Sequence, residues 1–241
     1  MGKSRVPGEA RAAGSVGAEA FVRVAHDLRN PLAPIRTAVQ LLRMLQADPV
    51  RSRELLDLIE RQVGHLVRLI DRLTEYGELE HGREAPIFEP VQLTLAIDEA
   101  VGSCSAVIGA AGHRLDLSLP ERALKALGDP RRLAQAFAYV LENAAKFQAS
   151  GGAIEVSLSE EQGQGVVRVR DRGFGMSETT IAALYQPFAR GPATSPHLPT
   201  GLGLGLALAR DIVERHGGGI EVASAGEGQG SEVTIRVPLL S

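Results

Sequence analysis

Three residues in the first thirty have side chains suited to nucleophilic and acid–base chemistry: His26, Asp27 and Asn30. A neutral imidazole is a nucleophile near physiological pH, and a neighbouring carboxylate can orient the ring or accept its proton. On a helix, His26 and Asn30 are four residues apart and share one face, whereas Asp27 points about 100° away from His26. The spacing therefore predicts that the Asn30 amide lies beside the imidazole, and it leaves the contribution of Asp27 open.

A second set of candidates lies in glycine-containing segments of the carboxy-terminal half. The segment Asp171-Arg172-Gly173-Phe174-Gly175 follows an alternating apolar stretch, which predicts a tight turn at a strand end with a carboxylate facing a ligand. Because a carboxylate only accepts hydrogen bonds, Asp171 favours the exocyclic amine of adenine over the oxygen of guanine. Gly201, Gly203 and Gly205 lead directly into a predicted helix, whose first backbone amides can bind phosphate.

A third set lies on the predicted helix 130–147. Asn143 and Lys146 are three residues apart and share a face, so an oxygen for Mg²⁺ and a cation for phosphate oxygens lie together. Glu142 directly precedes Asn143 and is the acidic candidate for catalysis in this set. Taken alone, Asn143 also fits an ordinary polar helix face, so its interpretation depends on the other segments.

Two apolar heptad patterns predict the element that positions His26. Apolar residues recur at alternating spacings of four and three from Phe21 to Leu42, and again from Leu56 to Leu73, with a turn at Ala47, Asp48 and Pro49. The pattern predicts a helical hairpin. Since two such hairpins complete a four-helix bundle, we predict a homodimer, and the alternative is a hairpin packed on the rest of its own chain.

The heptad pattern of apolar residues stops after Gly77, and this change predicts the domain organisation. We expect a flexible tail at 1–17, the hairpin at 18–78, a linker at 79–87 and a second domain at 88–241. The second domain combines predicted strands at 114–119, 153–158, 166–170 and 232–237 with predicted helices at 95–110, 130–147 and 204–216. The predicted fold class is α+β, in which an α/β sandwich with helices on one face of a sheet follows the hairpin.

Composition excludes several classes of protein. The 241 residues carry a formal net charge of −3, which provides no basic surface for nucleic acid. One cysteine, Cys104, allows neither an intramolecular disulfide nor a zinc site built from cysteines. No apolar run approaches the roughly 18 residues of a membrane span, so we expect no membrane contact from this chain itself.

Five segments, taken in order, resemble the motifs of the sensor histidine kinases of two-component signalling. HDLRNPLAPI resembles the phosphoacceptor box, VLENAAKF the asparagine box, DRGFGM and GLGLGLAL the two glycine boxes, and YQPFAR the phenylalanine box. The resemblance covers nearly everything from about residue 18 to the end. It implies a dimerisation and histidine-phosphotransfer hairpin followed by a Bergerat-type ATP-binding catalytic domain.

The resemblance also implies roles for individual residues. In the hairpin, His26 would be the phosphoacceptor, Asp27 its acid–base neighbour, and Asn30 the position that supports phosphatase action on the partner. In the catalytic domain the implied contacts are Asn143 to Mg²⁺, Lys146 to phosphate, Asp171 to adenine and Arg190 to the γ-phosphate, with the pocket shaped by Gly173, Gly175, Gly201, Gly203 and Gly205.

The implied function is that of an ATP- and Mg²⁺-dependent protein-histidine kinase. It would autophosphorylate His26 and pass the phosphoryl group to an aspartate of a response regulator receiver domain, with phosphatase action on that partner as a second activity. The implied location is cytoplasmic, as a soluble protein or as the cytosolic core of a longer sensor.

Two departures from the family pattern support an alternative. Tyr139 stands where the family often has an additional asparagine, and Leu202 stands where it often has threonine or serine. The alternative is a degenerate kinase that acts as a dimeric nucleotide-binding scaffold. A different ATPase on the same nucleotide fold would have no use for His26 or for the preceding heptads.

Overall fold

A computed structural model describes residues 7–44, 48–81, 87–148, 151–189 and 201–240, with side chains described from residue 21 onward and not for 79–81. The chain divides into two compact units between Gly77 and Glu78. This division lies one residue from the end of the predicted hairpin.

The amino-terminal unit consists of two long helices, α1 (Pro7–Met44) and α2 (Pro49–His81). Helix α1 begins at Pro7, so residues 7–17 are helical where the sequence pattern assigns a flexible tail. Ala, Glu and Arg, which are strong helix formers, dominate residues 9–13, and proline suits the first position of a helix. At the start of α2, the Asp48 carboxylate accepts hydrogen bonds from the backbone amides of Val50 and Arg51, which satisfies two of the unpaired donors there.

This unit leaves a stripe of apolar side chains exposed. Ala38 and Leu69, which are not among the predicted heptad residues, are buried, whereas five residues of the predicted heptads are between 37% and 56% exposed. We call these residues the exposed apolar stripe; they repeat every seven residues along each helix: Leu32 and Val39 on α1, and Leu56, Val63 and Ile70 on α2.

The carboxy-terminal unit is built on a five-stranded sheet in the order β2-β4-β5-β7-β6, beside a two-stranded antiparallel sheet of β1 and β3. Strand β2 is parallel to β4, and the other neighbours are antiparallel. In chain order the elements are β1 (Glu89–Gln92), α3 (Leu93–Ala110), β2 (Arg114–Ser118), β3 (Lys125–Gly128), α4 (Pro130–Phe147), β4 (Ala153–Glu161), β5 (Gln164–Asp171), α5 (Glu178–Ala183), α6 (Gly205–Arg215), β6 (Gly219–Ala223) and β7 (Ser231–Pro238).

Alternation along the strands places the core on one face of the five-stranded sheet. On β4, Ile154, Val156 and Leu158 are buried, while the residues between them are partly exposed. Helix α4 packs against both α3 and α6 in the same unit, and α4 and α6 contact strands of the sheet. On the other face, Arg168 donates two hydrogen bonds to Glu161 and, with Ser159, lowers the pKa of that carboxyl to about 2.

The predicted fold class is confirmed, because a helical region precedes a mixed α/β sheet unit. The predicted helix 130–147 has the bounds of α4, and every other predicted helix or strand overlaps an observed one. Strands β1, β3 and β6 and helix α5 were not predicted. They are four to six residues long, which is too short for a hydrophobic period to stand out.

The expectation that no segment is apolar enough to cross a membrane does not hold for helix α3. Its 18 residues have a mean hydropathy of 1.4, so by length and composition α3 could span one. In the structure α3 packs against α4 and buries Ile97, Ala100 and Cys104. The expectation missed α3 because Asp98 and Glu99 interrupt its apolar residues.

Candidate active site

The His26 imidazole lies on an exposed face of α1, with 67% of its side chain accessible to solvent. Its Nδ1 atom has two neighbours on the same helix. Asn30 Nδ2 lies 3.3 Å from Nδ1, and Asp27 Oδ1 lies 3.4 Å from it. The Asp27 side chain is 3% exposed, so a buried carboxylate and an exposed amide meet at one ring nitrogen. Both contacts are made at Nδ1, so Nε2 is the ring nitrogen that can act as a nucleophile.

Two prolines lie within α1 just after this cluster, and the helix continues through both. Proline has no backbone N–H, so Pro31 cannot donate to the carbonyl of Asp27, and Pro34 cannot donate to that of Asn30. The helix therefore lacks two backbone hydrogen bonds just after His26, which weakens it there.

The Asp171 carboxylate is buried at the end of β5 and held at both oxygens. The backbone amide of Gly173 donates to Oδ1 at 2.8 Å, and the Ser231 hydroxyl donates to Oδ2 at 2.5 Å. Ser231 lies opposite Asp171 in the pairing of β5 with β7. Sequence reasoning missed Ser231, because no local pattern indicates that these two strands are neighbours.

A second glycine-rich loop, residues 224–230 between β6 and β7, supports the turn after Asp171. The backbone amide of Gly230 donates to the Gly173 carbonyl at 3.1 Å, and that of Met176 donates to the Ser224 hydroxyl at 3.0 Å. Gly175 has a φ of +61°, and a Cβ atom there would clash with the carbonyl of Gly226. Sequence reasoning missed this loop, although its repeated glycines, AGEGQG, were a visible signal.

Helix α4 contacts both glycine segments that the sequence analysis singled out. At its carboxyl end, the Phe147 carbonyl accepts a hydrogen bond from the Phe174 amide at 3.0 Å, and a Cβ atom on Gly173 would clash with the same carbonyl. One turn earlier, Asn143 Nδ2 lies 3.9 Å from the position of a Cβ atom on Gly205. Helix α4 therefore forms a common wall for the predicted adenine and phosphate segments.

The amino end of α6 has the features of a phosphate site. Leu204 is the N-cap residue, and among the described residues no side chain caps the helix there. The first backbone amides of α6 are thus available for an anion. Gly203 has a φ of +69°, and a Cβ atom there would clash with the carbonyl of Ala189. A side chain at 203 would thus disturb the loop that leads into the helix.

The structure gives fewer contacts for the remaining predicted site residues. Lys146 Nζ lies 5.2 Å from the centre of the Phe147 ring, Glu142 is half-buried on α4, and Gly201 lies in the loop before α6. Arg190 lies outside the described residues. Asp27 and His26 belong to the other unit of the chain.

The donor set fits a nucleotide with Mg²⁺ better than a metal bound by protein alone. Among the described residues, no group of three or more His, Cys, Asp or Glu side chains could hold a metal ion. Mg²⁺ needs few protein ligands when phosphate oxygens and waters complete its shell. The Asn143 side chain, one turn from the carboxyl end of α4 and next to α6, can supply the one protein oxygen.

Together these features define a class of protein: a helical unit with an exposed histidine, joined to an α/β nucleotide-binding unit. Residues 19–82 match the family model of the His Kinase A (phospho-acceptor) domain, and residues 128–241 match that of the histidine kinase-, DNA gyrase B-, and HSP90-like ATPase. The two matched stretches cover more than half of the chain. The chain belongs to the sensor histidine kinases of two-component systems.

Curated relatives agree with this assignment. The chain is 31% identical over 233 residues to the circadian input-output histidine kinase CikA of Synechococcus elongatus, which covers 95% of this chain and 31% of the relative. It is 30% identical over 218 residues to the signal transduction histidine-protein kinase BaeS of Escherichia coli, which covers 90% of this chain and 45% of the relative. The chain spans less than half the length of these relatives.

A solved structure shares the fold. The histidine kinase ThkA, determined in complex with the response regulator protein TrrA, matches with a TM-score of 0.69 and 23% identity. The match covers 95% of this chain and 64% of that one.

Proposed function

We propose that this chain autophosphorylates His26 with ATP and passes the phosphoryl group to an aspartate of a response regulator. The observation that carries the proposal is the environment of His26: an exposed imidazole whose Nδ1 faces a buried carboxylate. The two matched domains support it, since one is a phosphoacceptor domain and the other is an ATPase domain.

For nucleotide binding, we assign adenine to Asp171 and the phosphates to the amino end of α6. The Asp171 carboxylate accepts a hydrogen bond from the exocyclic amine of adenine, and the first backbone amides of α6, after Leu204, donate to phosphate oxygens. Asn143 is the protein ligand of Mg²⁺, and Lys146 is the cation for the phosphates. Mg²⁺, when bound, neutralises charge on the phosphate oxygens. Glu142 and Arg190 remain predicted catalytic residues.

At His26, the chemical step is an in-line transfer to Nε2. The Nε2 lone pair attacks the γ-phosphorus, a nitrogen–phosphorus bond forms, and the bond from phosphorus to the bridging oxygen of ADP breaks. The ring becomes cationic as this bond forms. Asp27, whose Oδ1 faces Nδ1 at 3.4 Å, stabilises the cation and accepts the Nδ1 proton.

We also propose that the chain works as a homodimer, with the exposed apolar stripe as the interface. Five heptad-spaced apolar side chains lie open to solvent on α1 and α2, and a second hairpin would cover them in a four-helix bundle. Exposure of such an apolar stripe to water on an isolated hairpin is energetically unfavourable.

The partner proposed for phosphotransfer is the receiver domain of a response regulator, and Asn30 is assigned to phosphatase action on it. The complex of ThkA with a response regulator supports this kind of partner. Because the proposed reaction consumes ATP, we place the protein in the cytoplasm.

Incubation with γ-labelled ATP and Mg²⁺ tests the proposal. The wild type should incorporate label that is acid-labile and alkali-stable, as expected for a phosphoramidate, and His26→Gln should incorporate none. His65→Gln, which changes another histidine of the hairpin, is the matched control and should keep the label.

The other outcomes discriminate between functions. Label that persists in His26→Gln would contradict His26 as the phosphoacceptor. If neither protein is labelled and both bind nucleotide, the result supports the scaffold alternative raised by Tyr139 and Leu202.

A further inference from the structure

We propose that Asn30 restrains autophosphorylation by holding the His26 ring in the tautomer that carries its proton on Nε2. The inference rests on the proposed kinase function and adds a regulatory role for Asn30 in that same reaction.

The two neighbours of Nδ1 require opposite states of that atom. The Asp27 carboxylate only accepts hydrogen bonds, so its contact at 3.4 Å requires a proton on Nδ1. Asn30 approaches the same atom with its amide nitrogen, a donor, at 3.3 Å, so this contact requires a lone pair on Nδ1. A neutral imidazole carries one proton, and the two contacts therefore compete.

Only one of the two tautomers can accept a phosphoryl group at Nε2. With the proton on Nδ1, the contact with Asp27 is satisfied and the exposed Nε2 has a free lone pair. With the proton on Nε2, the contact with Asn30 is satisfied and Nε2 is not a nucleophile. Asp27 thus favours the reactive tautomer, and Asn30 favours the unreactive one.

The different burial of the two side chains makes Asn30 the adjustable partner. Asp27 is fixed in a buried position, whereas Asn30 is exposed on α1 beside His26. An exposed side chain changes rotamer quickly, so any group that binds the Asn30 amide releases Nδ1 to Asp27. Because tautomers exchange before the slow chemical step, the rate of phosphorylation is proportional to the fraction of the reactive tautomer.

Nitrogen NMR of the full-length protein with ¹⁵N-labelled histidine measures this fraction directly. The ring signals of His26 are identified by their loss in His26→Gln, and the samples are kept at about pH 8.5, where imidazole is neutral. Asn30→Ala should increase the fraction protonated on Nδ1. Asn30→Asp, which has the same shape but presents an acceptor, should increase it further. Thr37→Ala, an exposed change two turns along α1, should leave it unchanged.

Autophosphorylation of the same proteins should follow the tautomer. A single hydrogen bond of this type shifts an equilibrium by a few-fold, so we expect the rate at saturating ATP to rise about two- to tenfold in Asn30→Ala. The KM for ATP should not change, because Asn30 has no assigned role in nucleotide binding.

Two results would overturn the inference. One is an unchanged tautomer in both Asn30 variants. The other is a larger Nε2-protonated fraction in Asn30→Ala, which would mean that the amide presents its oxygen to Nδ1. Failure of the kinase function itself would be recognised separately, since wild type would then take up no label while the NMR measurement, which needs no ATP, would still report the tautomer.

Discussion

At the scale of single residues, protein donors orient both oxygens of the Asp171 carboxylate, which we assign to adenine. The amide of Gly173 and the hydroxyl of Ser231 each hold one oxygen, and the side chain is buried. A buried acceptor held in this way recognises a donor strongly, because an analogue without the donor would remove one hydrogen bond from a buried charge that already has its protein partners fixed.

We expect Asp171→Asn to weaken ATP binding about tenfold to a hundredfold without unfolding the protein. The amide has the same shape and can still bond with Gly173 and Ser231, but it loses the charge and presents a donor to the amine of adenine. Titration calorimetry measures the loss. Asp116→Asn, which changes an exposed carboxylate on β2, is the control, and an unchanged affinity in Asp171→Asn would refute the assignment of adenine to Asp171.

Ser231→Ala tests the support of that carboxylate. Removal of the hydroxyl leaves Oδ2 of Asp171 without its protein donor, and we expect ATP affinity to fall by less than in Asp171→Asn, about two- to tenfold. Ser231→Thr keeps the hydroxyl and should restore the affinity. An effect in Ser231→Thr as large as in Ser231→Ala would show that packing, and not the hydrogen bond, matters at this position.

At the scale of elements, His216 joins the carboxyl end of α6 to the amino end of α4. Its Nδ1 donates to the Ile212 carbonyl at 2.7 Å, and its Nε2 accepts from the Asp129 amide at 2.9 Å. The ring also stacks on Phe88, with the ring centres 5.0 Å apart. Asp129 is the N-cap of α4. His216 therefore ties together the two helices whose other ends form the proposed phosphate site.

We expect His216→Ala to lower the free energy of unfolding of this unit by about 1–3 kcal/mol, because the partly buried Asp129 amide loses its acceptor and a buried ring is removed. Chemical denaturation followed by circular dichroism measures the change. Arg215→Ala, next to His216, removes only an exposed ion pair with Asp211 and should cost less than about 1 kcal/mol. Equal effects of the two variants would contradict the role given to His216.

At the scale of the whole molecule, assembly decides whether the exposed apolar stripe is covered. Val63 lies in the middle of the α2 part of that stripe and is 45% exposed. In a four-helix bundle a residue at such a position packs against the second copy. The proposed dimer would therefore depend on side chains that are largely exposed in the single hairpin.

We expect the wild type to elute with twice the mass of its 25.5 kDa chain and Val63→Glu to elute as a monomer, because the substitution buries a charge in the interface. Size-exclusion chromatography with light scattering measures both masses. Leu95→Glu, at an exposed apolar position of α3, is the control and should remain dimeric. A wild type that is monomeric at all concentrations would contradict the proposed interface.

Local patterns of the sequence were sufficient to predict the long helices and strands and the positions of the residues that lie on them. The bounds of α4, the exposed position of His26 beside Asn30 and the strand end at Asp171 all follow from periods of about 3.6 and 2 residues and from the punctuating glycines. These features depend only on residues close together in the chain. The same reasoning missed helical residues 7–17, because they carry no apolar period.

Contacts between distant residues were decided by the tertiary structure alone. Ser231 reaches Asp171 across 60 residues because β5 and β7 pair, and His216 reaches Asp129 across 87 because α6 ends beside the start of α4. Strand β3 forms because the distant strand β1 pairs with it, and β6 forms because the longer strand β7 pairs with it. Such pairings depend on how the whole sheet and its helices bury their apolar faces together, which no local window of sequence contains.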